Sequence, residues 1–112
     1  MGASQKEAVA TPPSGTYTSV PNSGNSTWQG SFTYDNSTKV IVYTVGNNNY
    51  TTQNNSNGNA LEFTIPDGNP QGATRWILAN PGSQNGKATY GGTIVTPGNL
   101  TGGQSGWTAT QT

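Results

Sequence analysis

The amino-acid sequence predicts an all-β fold: an antiparallel β-sandwich of about seven short strands, with a small β-barrel as the second choice. Three observations predict it. Apolar and polar residues alternate with period two in several stretches. No window repeats apolar residues at helical spacing for three turns. Glycine and proline, 16 and 7 of the 112 residues, punctuate every segment.

Taken in order, residues 1–14 hold Lys6, Glu7 and the Pro12-Pro13 pair without any period. They read as a flexible N-terminal arm, which leaves 15–112 as one domain. Residues 15–20 make a weak first strand. In 27–34 the aromatic residues Trp28, Phe32 and Tyr34 alternate with Thr27, Gln29, Ser31 and Thr33, the pattern of a strand with one wet face. Asp35-Asn36-Ser37 supplies a turn. In 38–45, Val40 and Val42 face one way while Ile41, Tyr43 and Val45 face the other, which predicts a central strand covered on both sides. Lys39 at its start discourages stray pairing.

Downstream, Leu61, Phe63 and Ile65 share a face, 66–70 turns the chain, and 73–79 returns with Trp76 and Leu78 aligned. Asn80-Pro81-Gly82 is expected to end that strand. Residues 87–95 form another, whose Gly91-Gly92 pair predicts a bulge or a close backbone approach. Residues 105–111 make a weak last strand. Two connections, 46–58 and 96–106, are longer than hairpin turns, and such loops tend to carry function.

Composition excludes several function classes. The chain has no histidine and no cysteine, and four basic side chains balance four acidic ones. The residues that supply most general bases, thiolate nucleophiles and transition-metal ligands are therefore missing. Past the arm the cations are Lys39, Arg75 and Lys87, well separated, so no basic footprint marks a nucleic-acid partner. No apolar run approaches the length of a membrane span, and no basic-then-apolar leader opens the chain. Low charge with abundant Thr, Ser, Asn and Gly suggests a secreted or surface-exposed setting.

The carboxylates after the arm are Asp35, Glu62 and Asp67. Asp35 and Asp67 sit in turn sequences, and nothing marks a pair spaced for glycoside hydrolysis. Asp67-Gly68-Asn69 resembles the start of a calcium loop but lacks its alternating ligands and terminal Glu. No catalytic residue, metal site or cofactor is expected. Five N-x-[ST] triplets, at Asn25, Asn36, Asn49, Asn54 and Asn99, are about what the composition yields by chance, so they carry no glycosylation signal.

The aromatics remain. Trp28, Phe32, Tyr34, Tyr43 and Trp76 have strand phase and are expected in the core. Tyr50, set between asparagines and threonines, and Trp107, between Gly106 and Thr108, are expected to be more exposed. An exposed ring beside neutral amides suits the face of a sugar. The first functional expectation is therefore a non-catalytic module for neutral glycans. Its ligand-binding candidates are Asn48, Asn49, Tyr50, Gln53, Asn55 and Trp107, with Trp28 as another choice of second ring. The alternative is a structural or adhesive surface module acting by self- or partner-association. A homo-oligomer is expected in either case, because the monomer core is small.

Overall fold

A computed structural model describes residues 11–26, 28–65, 74–95 and 104–112. It holds eight strands: β1 (Gly15–Pro21), β2 (Gly30–Asp35), β3 (Val40–Val45), β4 (Asn48–Gln53), β5 (Leu61–Ile65), β6 (Thr74–Gln84), β7 (Lys87–Val95) and β8 (Gln104–Gln111). They form one antiparallel sheet in the order β4-β3-β2-β1-β8-β7-β6-β5. Neighbours in sequence are thus neighbours in space, and β1 pairs with β8 to bring the two ends of the domain together. The sheet curls until its outer strands meet. Thr52 Oγ1 donates to the Thr64 carbonyl at 2.8 Å, and the Asn55 N–H donates to the Glu62 carbonyl at 2.7 Å. The result is an eight-stranded sheet nearly closed into a barrel.

Alternation builds its interior. Tyr17, Phe32, Tyr34, Ile41, Tyr43, Leu61, Phe63, Ile65, Trp76, Leu78, Tyr90, Ile94 and Trp107 are buried. Rings replace the scarce aliphatic side chains. Tyr17 stacks on Phe32 at 5.0 Å between centroids, Phe32 on Tyr43 at 5.6 Å, and Phe63 on Trp76 at 5.2 Å. Such offset pairs add to the burial of apolar area.

Three expectations about elements are corrected. Residues 46–58 are not one long loop. Gly46 and Asn47 make a two-residue turn, and β4 then pairs with β3 from Val45↔Asn48 to Val40↔Gln53. Asparagine-rich β4 has weak strand propensity of its own; its backbone is held by the β-branched strand beside it. Nor does Asn80-Pro81-Gly82 end a strand, because β6 runs on to Gln84. Pro81 is tolerated there because β5 stops pairing at Leu61↔Leu78, leaving 79–84 as a sheet edge that needs no further N–H. The chain reverses instead at Asn85-Gly86, with φ of 52° and 78°, the signature of a type I′ turn. Finally, β3 is covered on one face only: Ile41 and Tyr43 are buried, while Val40 and Val42 stay half-buried on the outer face.

The Gly91-Gly92 expectation is met. The β7–β8 register shifts between Gly92 and Thr93, and a Cβ on Gly92 would lie 2.0 Å from the Ile77 carbonyl oxygen. The expected 66–70 turn with Asp67, and most of the 96–106 connection, lie outside the described residues, as do residues 1–10 of the arm. Residues 11–14 are held against the domain: Pro12 is buried, and the Tyr17 hydroxyl donates to the Pro13 carbonyl at 2.6 Å.

Candidate functional site

The six sequence-predicted ligand residues do not converge. Asn49 and Gln53 lie on the outward phase of β4, and Asn49 Oδ1 accepts a hydrogen bond from Thr44 Oγ1 at 2.7 Å. Asn48 and Tyr50 lie on the opposite phase, where Tyr50 is half-buried against the core and paired with Tyr43. Asn55 is exposed just beyond β4. Trp107 is a correction. Expected to be partly exposed, it is fully buried, flanked by Pro21 of β1 and Gly92 of β7, and its indole N–H donates to Ser19 Oγ. Its glycine and threonine neighbours conceal a ring that points into the curl of the sheet. Trp28 is also in the core, edge-on to Trp76.

With the rings turned inward, hydroxyls and amides line much of the outer face, beside Val20, Val40, Val42 and Val95. One row crosses six strands in register: Asn49, Thr44, Ser31, Thr18, Thr110 and Thr89. A second row runs Thr51, Val42, Thr33 and Thr16. Neighbouring strands stand about 4.8 Å apart, so these side chains form a regular and uncharged lattice, of donors and acceptors throughout the first row and interrupted by Val42 in the second.

One end of the curled sheet holds a polar mouth that the sequence pattern did not disclose. Tyr17, Tyr34 and Tyr90 gather there. Tyr90 donates to Asn59 Oδ1 at 2.6 Å, and Tyr34 accepts from Asn54 Nδ2 at 3.3 Å. Burial raises Tyr17 far above the ordinary tyrosine range, with Tyr90 and Tyr34 adding to the shift. Tyr90 is raised for the same reason, with Tyr34 contributing. Both therefore stay neutral hydrogen-bonding groups at any physiological pH.

Asn54, itself buried, satisfies its whole amide. Its Nδ2 donates to the Ala60 carbonyl at 3.0 Å as well as to Tyr34, and its Oδ1 accepts from the N–H groups of Ser56 (3.1 Å) and Glu62 (3.0 Å). This side chain locks the β4–β5 connection over the mouth. The only hint of it in the sequence was its place among asparagines, which marks a turn rather than a buried plug.

Asp35 is exposed and held below the usual carboxylate range, first by the Ser37 hydroxyl and then by the Ser37 N–H. Stabilising the charged form in a turn suits local structure rather than proton transfer. Among the described residues, no group of three acidic, histidine or cysteine side chains could hold a metal ion, and no helix is long and apolar enough to cross a membrane. No protein-family model, curated protein or solved structure matches this chain.

Proposed function

We propose that this chain is a non-catalytic structural or adhesive module that works by associating with copies of itself through its outward sheet face. We take the fold as a small barrel rather than a sandwich, since one continuous strand order runs from β4 round to β5. The observation that carries the functional reading is the hydroxyl and amide row across six strands, centred on Thr18 and Thr110. The formal charge of zero favours it too, because nothing holds copies apart by long-range repulsion.

Neutral-glycan recognition ranks second. Its paired rings would be Tyr50 and Trp107. Trp107 is in the core, and Tyr50 lies on the inward phase. A surface setting outside the cell fits either reading.

Sedimentation velocity over a wide concentration range tests the proposal. The wild-type chain is expected to assemble as concentration rises, with little dependence on salt, because uncharged contacts are not screened. Thr18→Lys places a charge at the centre of the row and is expected to weaken assembly at least tenfold. Unfolding free energy should change by no more than about 0.5 kcal/mol, as for other surface substitutions. A strict monomer that binds neutral oligosaccharides on an array would overturn this reading in favour of the glycan one.

A further inference from the structure

The tyrosine mouth is occupied by the chain's own N-terminal segment. Pro12 is buried and Pro13 half-buried, although the flanking Thr11 and Ser14 are exposed. Three hydrogen bonds hold the segment: Tyr17 hydroxyl to the Pro13 carbonyl at 2.6 Å, Gln111 Nε2 to the Ser14 carbonyl at 3.2 Å, and the Asn36 N–H to Ser14 Oγ at 2.8 Å. A buried proline with a neighbouring carbonyl that accepts from a tyrosine hydroxyl is the chemistry by which aromatic surfaces take proline-rich segments. The segment joins β1 through Gly15, at φ of +148°. That is a backbone conformation side chains rarely adopt, and it lets the chain turn from the segment into the β1 register with Tyr34.

We propose that this mouth is a seat for the Pro12-Pro13 segment of a second copy, so that copies brought together through the outward face exchange straps and become linked. The inference rests on the self-association reading. The seat recognises the same atoms whichever copy supplies them, and every partner named above lies within the domain, so the contacts made in cis can be remade in trans. A tethered segment competes at an effective concentration on the order of millimolar. Dilute chains therefore keep their own straps, and exchange sets in when the outward face concentrates copies locally. Reciprocal exchange closes a dimer, and sequential exchange builds an open chain.

The absence of cysteine from the sequence makes the test clean. Chains carrying Ser14→Cys are mixed with chains carrying Asn36→Cys, both at exposed positions, and treated with a short bis-maleimide. Covalent heterodimer is expected to rise with concentration, several-fold above the yield from Ser14→Cys mixed with Ser83→Cys. Adding Pro12→Ser and Pro13→Ser to both chains should abolish the excess. In a second measurement, full-length chain carrying Pro12→Ser and Pro13→Ser is titrated with a synthetic peptide of residues 8–15 and followed by the NMR shifts of Tyr17. Saturable binding is expected, at least about tenfold tighter than to wild-type chain, whose seat is filled in cis.

Assembly without excess heterodimer, or a vacated seat that ignores the peptide, overturns strap exchange and leaves the outward-face reading standing. A wild-type chain that never assembles overturns both.

Discussion

Asn54 ties the β4–β5 connection to β2 and to the start of β5. Two donors and two acceptors on one buried amide tie Tyr34 of β2, the Ala60 carbonyl, and the Ser56 and Glu62 N–H groups together. Truncation would leave buried backbone N–H groups unpartnered, each at about 1–3 kcal/mol. Asn54→Ala is therefore expected to lower the unfolding free energy by about 3 kcal/mol in urea titration. Exposed Asn55→Ala should change it by less than about 0.5 kcal/mol. Equal effects at the two positions would show that the amide does not hold the connection.

The contrast between these adjacent asparagines also marks what sequence can resolve for a residue. Composition identified a polar, turn-prone stretch. Which asparagine faces inward is decided by β5 packing across from it, and that is a contact between strands rather than a local preference. Trp107 follows the same logic. Its neighbours Gly106 and Thr108 offer no apolar phase, and its burial comes from β8 lying between β1 and β7.

Among the elements, β6 and β7 carry the sharpest test. Their backbones approach so closely at Gly92 that a Cβ would sit 2.0 Å from the Ile77 carbonyl oxygen and 2.9 Å from Leu78 Cα. Both obstacles are backbone, so neither can swing aside. At the preceding Gly91 the nearest atom to a Cβ would be the Trp107 carbonyl oxygen at 3.7 Å, an ordinary contact. Gly92→Ala is expected to destabilise by about 3 kcal/mol or more, the upper range of overpacking, and Gly91→Ala by less than about 1 kcal/mol. Thermal unfolding of the two variants side by side checks this, and similar melting temperatures would refute the close approach.

That glycine pair was legible in the sequence because glycine weakens a strand interior, so two in succession mark a bulge or a place where backbones touch. The inward phases of β2, β5 and β6 were legible for a similar reason, since Phe32, Tyr34, Leu61, Phe63, Trp76 and Leu78 alternate without interruption. Strand β4 was not, because Tyr50 is its one large apolar residue and asparagine signals a loop. The length of β6 was hidden by Pro81, which normally argues against a strand and is harmless at an edge.

At the scale of the whole molecule, the mostly apolar interior also encloses Tyr17, Tyr34, Tyr43 and Tyr90, and this fixes how stability must respond to pH. Burial pushes the hydroxyls of Tyr17, Tyr43 and Tyr90 upward. In Tyr43, whose hydroxyl donates to the Trp28 carbonyl at 2.8 Å, desolvation by burial is the dominant cause. A phenol in the unfolded chain ionises near pH 10. The folded state therefore holds these protons after the unfolded state has released them. Their stabilising contribution is fully present below about pH 10 and is lost as pH rises from there through the higher folded values. With four carboxylates and no histidine in the chain, little else titrates between about pH 5 and pH 9. The profile of unfolding free energy is expected to be nearly flat over that range and to fall steeply beyond about pH 10. Each tyrosine ionised only in the unfolded chain adds about 1.4 kcal/mol per pH unit to the slope. Urea midpoints from pH 6 to pH 11.5 measure it, and Tyr17→Phe should remove one such contribution. The same substitution deletes the hydroxyl that grips the Pro13 carbonyl, so it links the alkaline limb to the strap. An alkaline slope that Tyr17→Phe leaves unchanged would mean that this hydroxyl is not sheltered in the mouth, and the seat would lose the neutral donor on which its recognition of the segment depends.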